Sequence, residues 1–139
     1  MTTDRRATFP RRDPEGRIAR FDDLVVALTV ALVVAFLVLA AFDVLSPLIG
    51  IGSAGTSQGW LSAVLAIWLY VEDFRAWRGV RSRLGIMLVA LLVGVAVGAA
   101  AAYGADALGA PTLITGAVGA AVWALAYAPI WFYGMRWAE

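Results

Sequence analysis

The sequence predicts an all-α membrane protein, a bundle of four transmembrane helices. Three observations carry that prediction. The first is composition: 62% of the 139 residues are hydrophobic and only 15% are charged. A soluble domain carries about 25% charged residues. Mean hydropathy is +0.82. The second is segregation. Asp, Glu and Arg are absent from 24–42, from 84–104 and from 107–135, and about 20 apolar residues suffice to cross a hydrocarbon core. The third is the placement of positive charge. All 11 basic residues are Arg, and they gather in the N-terminal segment, in one central turn and at Arg136.

Residues 1–23 hold Arg5, Arg6, Arg11, Arg12, Arg17 and Arg20 among five acids. Pro10, Pro14 and Gly16 oppose a helix there. The expectation is a mostly disordered basic tail on the cytoplasmic surface. Asp4-Arg-Arg-Ala-Thr-Phe9 also invites comparison with a twin-arginine export signal. The apolar run behind it is longer than a signal core and has no clear small-x-small exit, so the tail reading is preferred.

The first crossing is expected over 24–42, capped by Asp22 or Asp23. Its many β-branched residues are poor helix formers in water. In lipid the backbone must satisfy its own hydrogen bonds, so helix wins. Asp43 to Pro47 forms a turn. Ser46-Pro47 reads as an N-cap followed by a first helical residue, which places the second crossing at 47–71. A start near Trp60 would leave twelve apolar residues before Glu72, about 18 Å and too short to span.

The central turn follows, with Arg75, Arg78, Arg81 and Arg83. The third crossing is expected over 84–103 and the fourth over 112–133, ahead of a short C-terminal segment, 134–139. Pro129 removes one backbone donor from the last crossing. The turns at 43–47 and 104–111 contain no basic residue. With four crossings all the arginines fall on one side, which the positive-inside rule places in the cytoplasm of a cell-membrane protein with both termini inside. Aromatic residues at the same level, including Trp68, Tyr70, Phe74, Trp77 and Trp131, are expected to form an interfacial belt.

The two hairpins resemble each other. Pro47, Gly52 and Gly55 are spaced like Pro111, Gly116 and Gly119, and Trp68 and Tyr70 align with Trp131 and Tyr133. Small apolar residues also align by chance. A tandem duplication, if real, makes the bundle two helical hairpins related by a parallel internal repeat.

Few residues suggest chemistry. The chain has no Cys and no His, which removes disulfides, thiolates and the commonest metal ligands. No phosphate loop or nucleophile–base pair is present. No catalytic, cofactor-binding or metal-binding residue is assigned, and no cofactor is expected. A net charge of +1 gives no reason to expect nucleic acid as a partner. No ionisable residue lies within an expected crossing, which weighs against an ion-coupled transporter. Glu72 is expected to pair with Arg75 at i+3 spacing.

Three groups of residues remain as candidates. Arg75, Arg78, Arg81 and Arg83 set topology and also offer a contact for anionic lipids or a partner protein. Ser53, Thr56, Ser57 and Gln58 form a polar patch in the second crossing. They line a small cavity or bond back to their own helix. Gly94 and Gly98, with Gly116, Ala120 and Ala124, form small-residue ladders that pack within the bundle or against a second chain. The leading expectation is a non-enzymatic membrane subunit or scaffold with a membrane-protein partner. The alternative is a small oligomeric channel or carrier for a neutral or weakly polar solute.

Overall fold

A computed structural model describes residues 9–50, 52 and 55–139, with Thr56 described for its backbone only. Among these residues the regular structure is helical. The helices are α1 (Phe21–Leu45), α2 (Thr56–Trp60), α3 (Val64–Ala76), α4 (Arg83–Ala107) and α5 (Thr112–Trp137). Short 3-10 turns occupy Ser46–Ile49 and Leu61–Ala63. The second 3-10 turn joins α2 to α3, so the chain is helical from Thr56 to Ala76. Three helical stretches are long and apolar enough to cross a membrane: Phe21–Ile49, Arg83–Ala107 and Thr112–Trp137.

The second expected crossing is where sequence and structure part. The chain does not turn at Asp43; α1 continues to Leu45, and Pro47 sits in a 3-10 turn instead of opening a long helix. That turn ends at Gly50, whose φ of 76° is left-handed, a conformation glycine adopts without a Cβ clash. The Ser46 hydroxyl donates to the carbonyls of Asp43 and Gly52, both at 3.2 Å. The next helix starts only at Thr56, with Gly55 as N-cap.

Close contacts between helices define their directions. A Cβ on Gly59 would lie 2.3 Å from the Leu113 carbonyl oxygen and 2.7 Å from the Gly116 Cα. Further along, the Tyr70 hydroxyl donates to the Ala124 carbonyl at 2.6 Å, and Trp131 Nε1 reaches Asp73 at 2.8 Å. Residue numbers rise together, so the Thr56–Ala76 run lies parallel to α5. Between α4 and α5 they run oppositely: Gly94 faces Trp123, Gly98 faces Gly119, and Ile86 touches Gly134. Phe21 packs on Phe132 and Tyr133, with ring centroids 5.4 and 5.2 Å apart, so α1 is also antiparallel to α5.

Burial shows why α5 is central. Asp23, Leu24, Leu28 and Leu32 form a single buried stripe on α1, and Ala90, Gly94, Gly98 and Ala102 form another on α4. Four-residue spacing keeps each stripe on one helix face. α5 instead buries both its small residues and the aromatic row Trp123, Tyr127 and Trp131. Pro129 lies within α5, which continues through it to Trp137.

The N-terminal segment is also ordered where it is described. Arg12 and Ile18 form an antiparallel bridge, and Ala19 N–H donates to the Arg11 carbonyl at 2.8 Å. Asp13 and Arg17 close the turn, with Asp13 Oδ1 accepting from the Arg17 backbone N–H at 2.8 Å. Ile18 is only 1% exposed. The expectation of a disordered tail is therefore corrected for these residues. Long-range contacts to α3 and α5 hold the segment. The arginine pair of the export-signal comparison, Arg5-Arg6, lies outside the described residues.

Candidate functional site

One of the three candidate groups, the arginines, gathers at one end of the molecule. The start of α1, the α3–α4 turn and the end of α5 meet there, and the short N-terminal hairpin closed by the Arg12–Ile18 bridge, residues 11–19, lies across them. Every described arginine is at this end. Asp43 and Asp106 lie at the other.

The hairpin is fastened by two carboxylates. Asp73 is 5% exposed. Its Oδ1 accepts the Ile18 backbone N–H at 2.9 Å. Its Oδ2 accepts the indole N–H of Trp77 at 3.1 Å and that of Trp131 at 2.8 Å. A charged acceptor strengthens such bonds to about 1.5–3 kcal/mol each. Asp23, 5% exposed, accepts three bonds from Arg11: the backbone N–H at 3.0 Å, Nε at 2.9 Å and Nη2 at 3.0 Å. That forked geometry is the strong form of an arginine–carboxylate pair. Hydrogen bonding to Asp23 raises the Arg11 pKa above its ordinary value.

These partners correct three expectations. Neither Asp22 nor Asp23 caps α1; its N-cap is Arg20, without a side-chain cap. Asp23 is committed to Arg11, and Asp22 pairs with Arg20 at 3.0 Å. Glu72 pairs with Arg12 at 3.3 Å and accepts the Trp68 indole N–H at 3.0 Å, in place of the expected Arg75 bond. The aromatic belt divides as well. Trp68 and Tyr133 face outward at 62% and 56% exposure, whereas Trp77 and Trp131 are buried in the core of this end.

Arginines surround the buried ring of Trp77. The Arg17 guanidinium lies 4.2 Å from its centroid and that of Arg136 5.7 Å. Arg17 also pairs with Glu139, and Arg136 donates to the carbonyls of Phe132 and Ile18. The hairpin, α3 and the end of α5 thus form one polar plate with an aromatic underside.

The central turn is different. Arg75, Arg78 and Arg81 are exposed and Arg83 is half-buried. Among the described residues none of the four has a carboxylate partner. Arg83 lies over the Phe74 ring at 4.6 Å. Just below, an apolar cleft of about 410 Å³ opens between α3 and α4. Ile67, Tyr70, Val71 and Phe74 line one side, Met87 and Leu91 the other, with Trp123 and Tyr127 beneath. The indole N–H of Trp123 is buried without an acceptor among the described residues.

The structure describes only part of the polar patch. Ser53 lies outside the described residues, as does the Thr56 side chain. Ser57 and Gln58 are exposed at the start of α2, and Gln58 Oε1 accepts the Gly55 N–H at 2.9 Å. They stand at the end of the bundle opposite the arginines. The small residues are found at helix contacts within the chain. A Cβ on Gly98 would lie 2.7 Å from the Gly119 carbonyl oxygen, and one on Gly94 2.9 Å from Trp123. Gly116 abuts Gly59, and Ala120 and Ala124 are fully buried.

Sequence reasoning missed the Asp73 cluster. Asp73 and Trp77 are four apart and share a helix face, which was the local signal. The remaining donors come from distant segments. No protein-family model matches the chain, and no curated protein or solved structure does either.

Proposed function

We propose that the chain is a cell-membrane protein with four crossings, its arginine end in the cytoplasm, and that it serves as a non-enzymatic subunit or scaffold. The observation that carries this reading is the two-zone surface. On α1, Val26, Val30, Val33, Leu37 and Val38 are 49–64% exposed, and on α4 Leu84, Leu88, Val89 and Leu92 are 52–70% exposed. Such continuous apolar faces suit a lipid environment better than water. The arginines stand beyond one end of them, as the positive-inside rule requires.

The fourth crossing is the Thr56–Ala76 run. At about 1.5 Å per residue it measures about 31 Å; its apolar part before Glu72 covers only about 20 Å, and Ser57 and Gln58 at one end and Glu72 and Arg75 at the other complete the crossing in the interfaces. It is the least apolar of the four, and its flanks against α1 and α5 offset that. A non-enzymatic role is supported by the commitment of Asp23, Asp73 and Glu72 to structural partners. The ordered polar plate supports a scaffold, because it offers a rigid surface outside the bilayer.

The channel or carrier reading relied on a polar face in the second crossing, and the exposed position of Ser57 and Gln58 weakens it. Native mass spectrometry on the protein extracted from its own membranes in mild detergent tests both readings. A second polypeptide in fixed ratio is the expected result. A homo-oligomer alone would move the channel reading to the front.

A further inference from the structure

Apart from Arg136, which donates to the Phe132 and Ile18 carbonyls, the described arginines at the positive end fall into two groups. Those of the hairpin are compensated: Arg11 by Asp23, Arg12 by Glu72, Arg17 by Glu139 and Arg20 by Asp22. Those of the α3–α4 turn have no carboxylate partner among the described residues. Uncompensated positive charge therefore gathers beside the apolar cleft between α3 and α4.

The cleft and the charge are in register. Arg83, Met87 and Leu91 are four residues apart on α4, so they share one face. Arg83 stands beside the cleft, its guanidinium 4.6 Å from the ring of Phe74, which lines it. Below it the walls are Ile67 and Phe74 on one side and Met87 and Leu91 on the other. The volume of about 410 Å³ falls in the range of ligand pockets, about 300–1,000 Å³.

We propose that this cleft holds an acyl chain of one anionic phospholipid, with the lipid phosphate on Arg83 and the remaining arginines of the turn adding attraction. Deepening the membrane reading, the proposal rests on it. A guanidinium fork matches phosphate oxygens, and its weak hydration suits a half-buried position. A phospholipid brings an anion and a long apolar chain together, which is the pairing this site displays. A second copy of the chain fits poorly, since a twofold contact here would bring the uncompensated turns against each other.

The test uses the full chain, purified in detergent and mixed with phosphatidylglycerol or phosphatidylcholine of identical acyl chains. Retained lipid is read by native mass spectrometry. One phosphatidylglycerol per chain is expected. An arginine near a membrane surface contributes about 1 kcal/mol, so R83Q should lower its retention about fivefold or more, with R83K intermediate. Leu91→Trp, which fills the cleft, should lower retention of both lipids. Leu88→Trp, at a 52% exposed position outside the cleft, should not. Circular dichroism reports whether each variant is folded; if Leu91→Trp is not, the R83Q and R83K pair decides.

Wild-type retention by R83Q would overturn the proposal. So would equal retention of the two lipids, or a single-chain fatty acid taking the place of phosphatidylglycerol. A protein that needs detergent for extraction yet retains no lipid would sink this inference and leave the membrane reading standing. Recovery in the aqueous fraction without detergent would count against the membrane reading itself.

Discussion

Asp73 shows how one side chain ties three segments together. It gathers N–H groups from the hairpin, from α3 and from α5, at 2.9, 3.1 and 2.8 Å. All three partners are donors, so the site needs a pure acceptor. Asn at this position keeps one acceptor oxygen and turns an amide donor toward another donor. D73N is expected to cost about 1.5–3 kcal/mol, and D73A more, about 3–5 kcal/mol, because buried donors lose their partner. Thermal unfolding in detergent measures the cost, and limited trypsin digestion shows where it falls. Cleavage after Arg17 should accelerate in D73N before the rest of the chain is cut. Uniform loosening of all fragments would mean that Asp73 does not fasten the hairpin. The sequence places Asp73 at a helix end but does not reveal its burial, since Ile18 and Trp131 lie 55 and 58 positions away. Glu72 and Asp73 are adjacent acids, and only the hairpin's return decides which of them is enclosed.

The long helices α1, α4 and α5 are legible as apolar runs, because a lipid-facing backbone has to bond to itself whatever its local propensity. The break before Thr56 is less legible. Pro47 suits the first turn of a long helix and also a 3-10 turn, and the glycines at 50, 52 and 55 were the signal for the second. The same residue type has a different role inside the helices. Gly59 and Gly98 sit where a Cβ would meet carbonyl oxygens at 2.3 and 2.7 Å, whereas Gly85 has nothing within 4 Å. Overpacking costs about 1–3 kcal/mol, while Ala in place of an unobstructed helical Gly gains roughly 0.5–1 kcal/mol. Unfolding temperatures in detergent should therefore fall in the order G85A, G98A, G59A, with G85A at or above wild type. Equal effects at all three positions would show that the close contacts with α5 do not govern stability. Read from sequence alone, the ladder at Gly94 and Gly98 left open which surface it faces. That answer depends on the direction and register of α5.

At the scale of the whole molecule, orientation and the fourth crossing can be tested together. The chain has no Cys, so a single introduced thiol is an unambiguous reporter. Ser57 is exposed at the start of α2, and Arg78 is exposed in the turn after α3. These positions flank the Thr56–Ala76 run. If the run crosses the membrane with its arginine end inside, S57C should react with a membrane-impermeant thiol reagent on intact cells. R78C should react only after permeabilisation. A crossing that began at Pro47 would instead hold residue 57 within the lipid and protect it, so rapid labelling also supports the late helix start. The charge argument predicts a further change. Replacing Arg75, Arg78, Arg81 and Arg83 together by Gln removes the turn's entire positive charge, while the hairpin arginines remain largely balanced by acids. In that background the S57C population should divide between labelled and protected molecules. A single unchanged orientation would mean that the N-terminal segment alone sets topology. The uncompensated arginines would then owe their place to something they bind, which is the role proposed for them at the cleft.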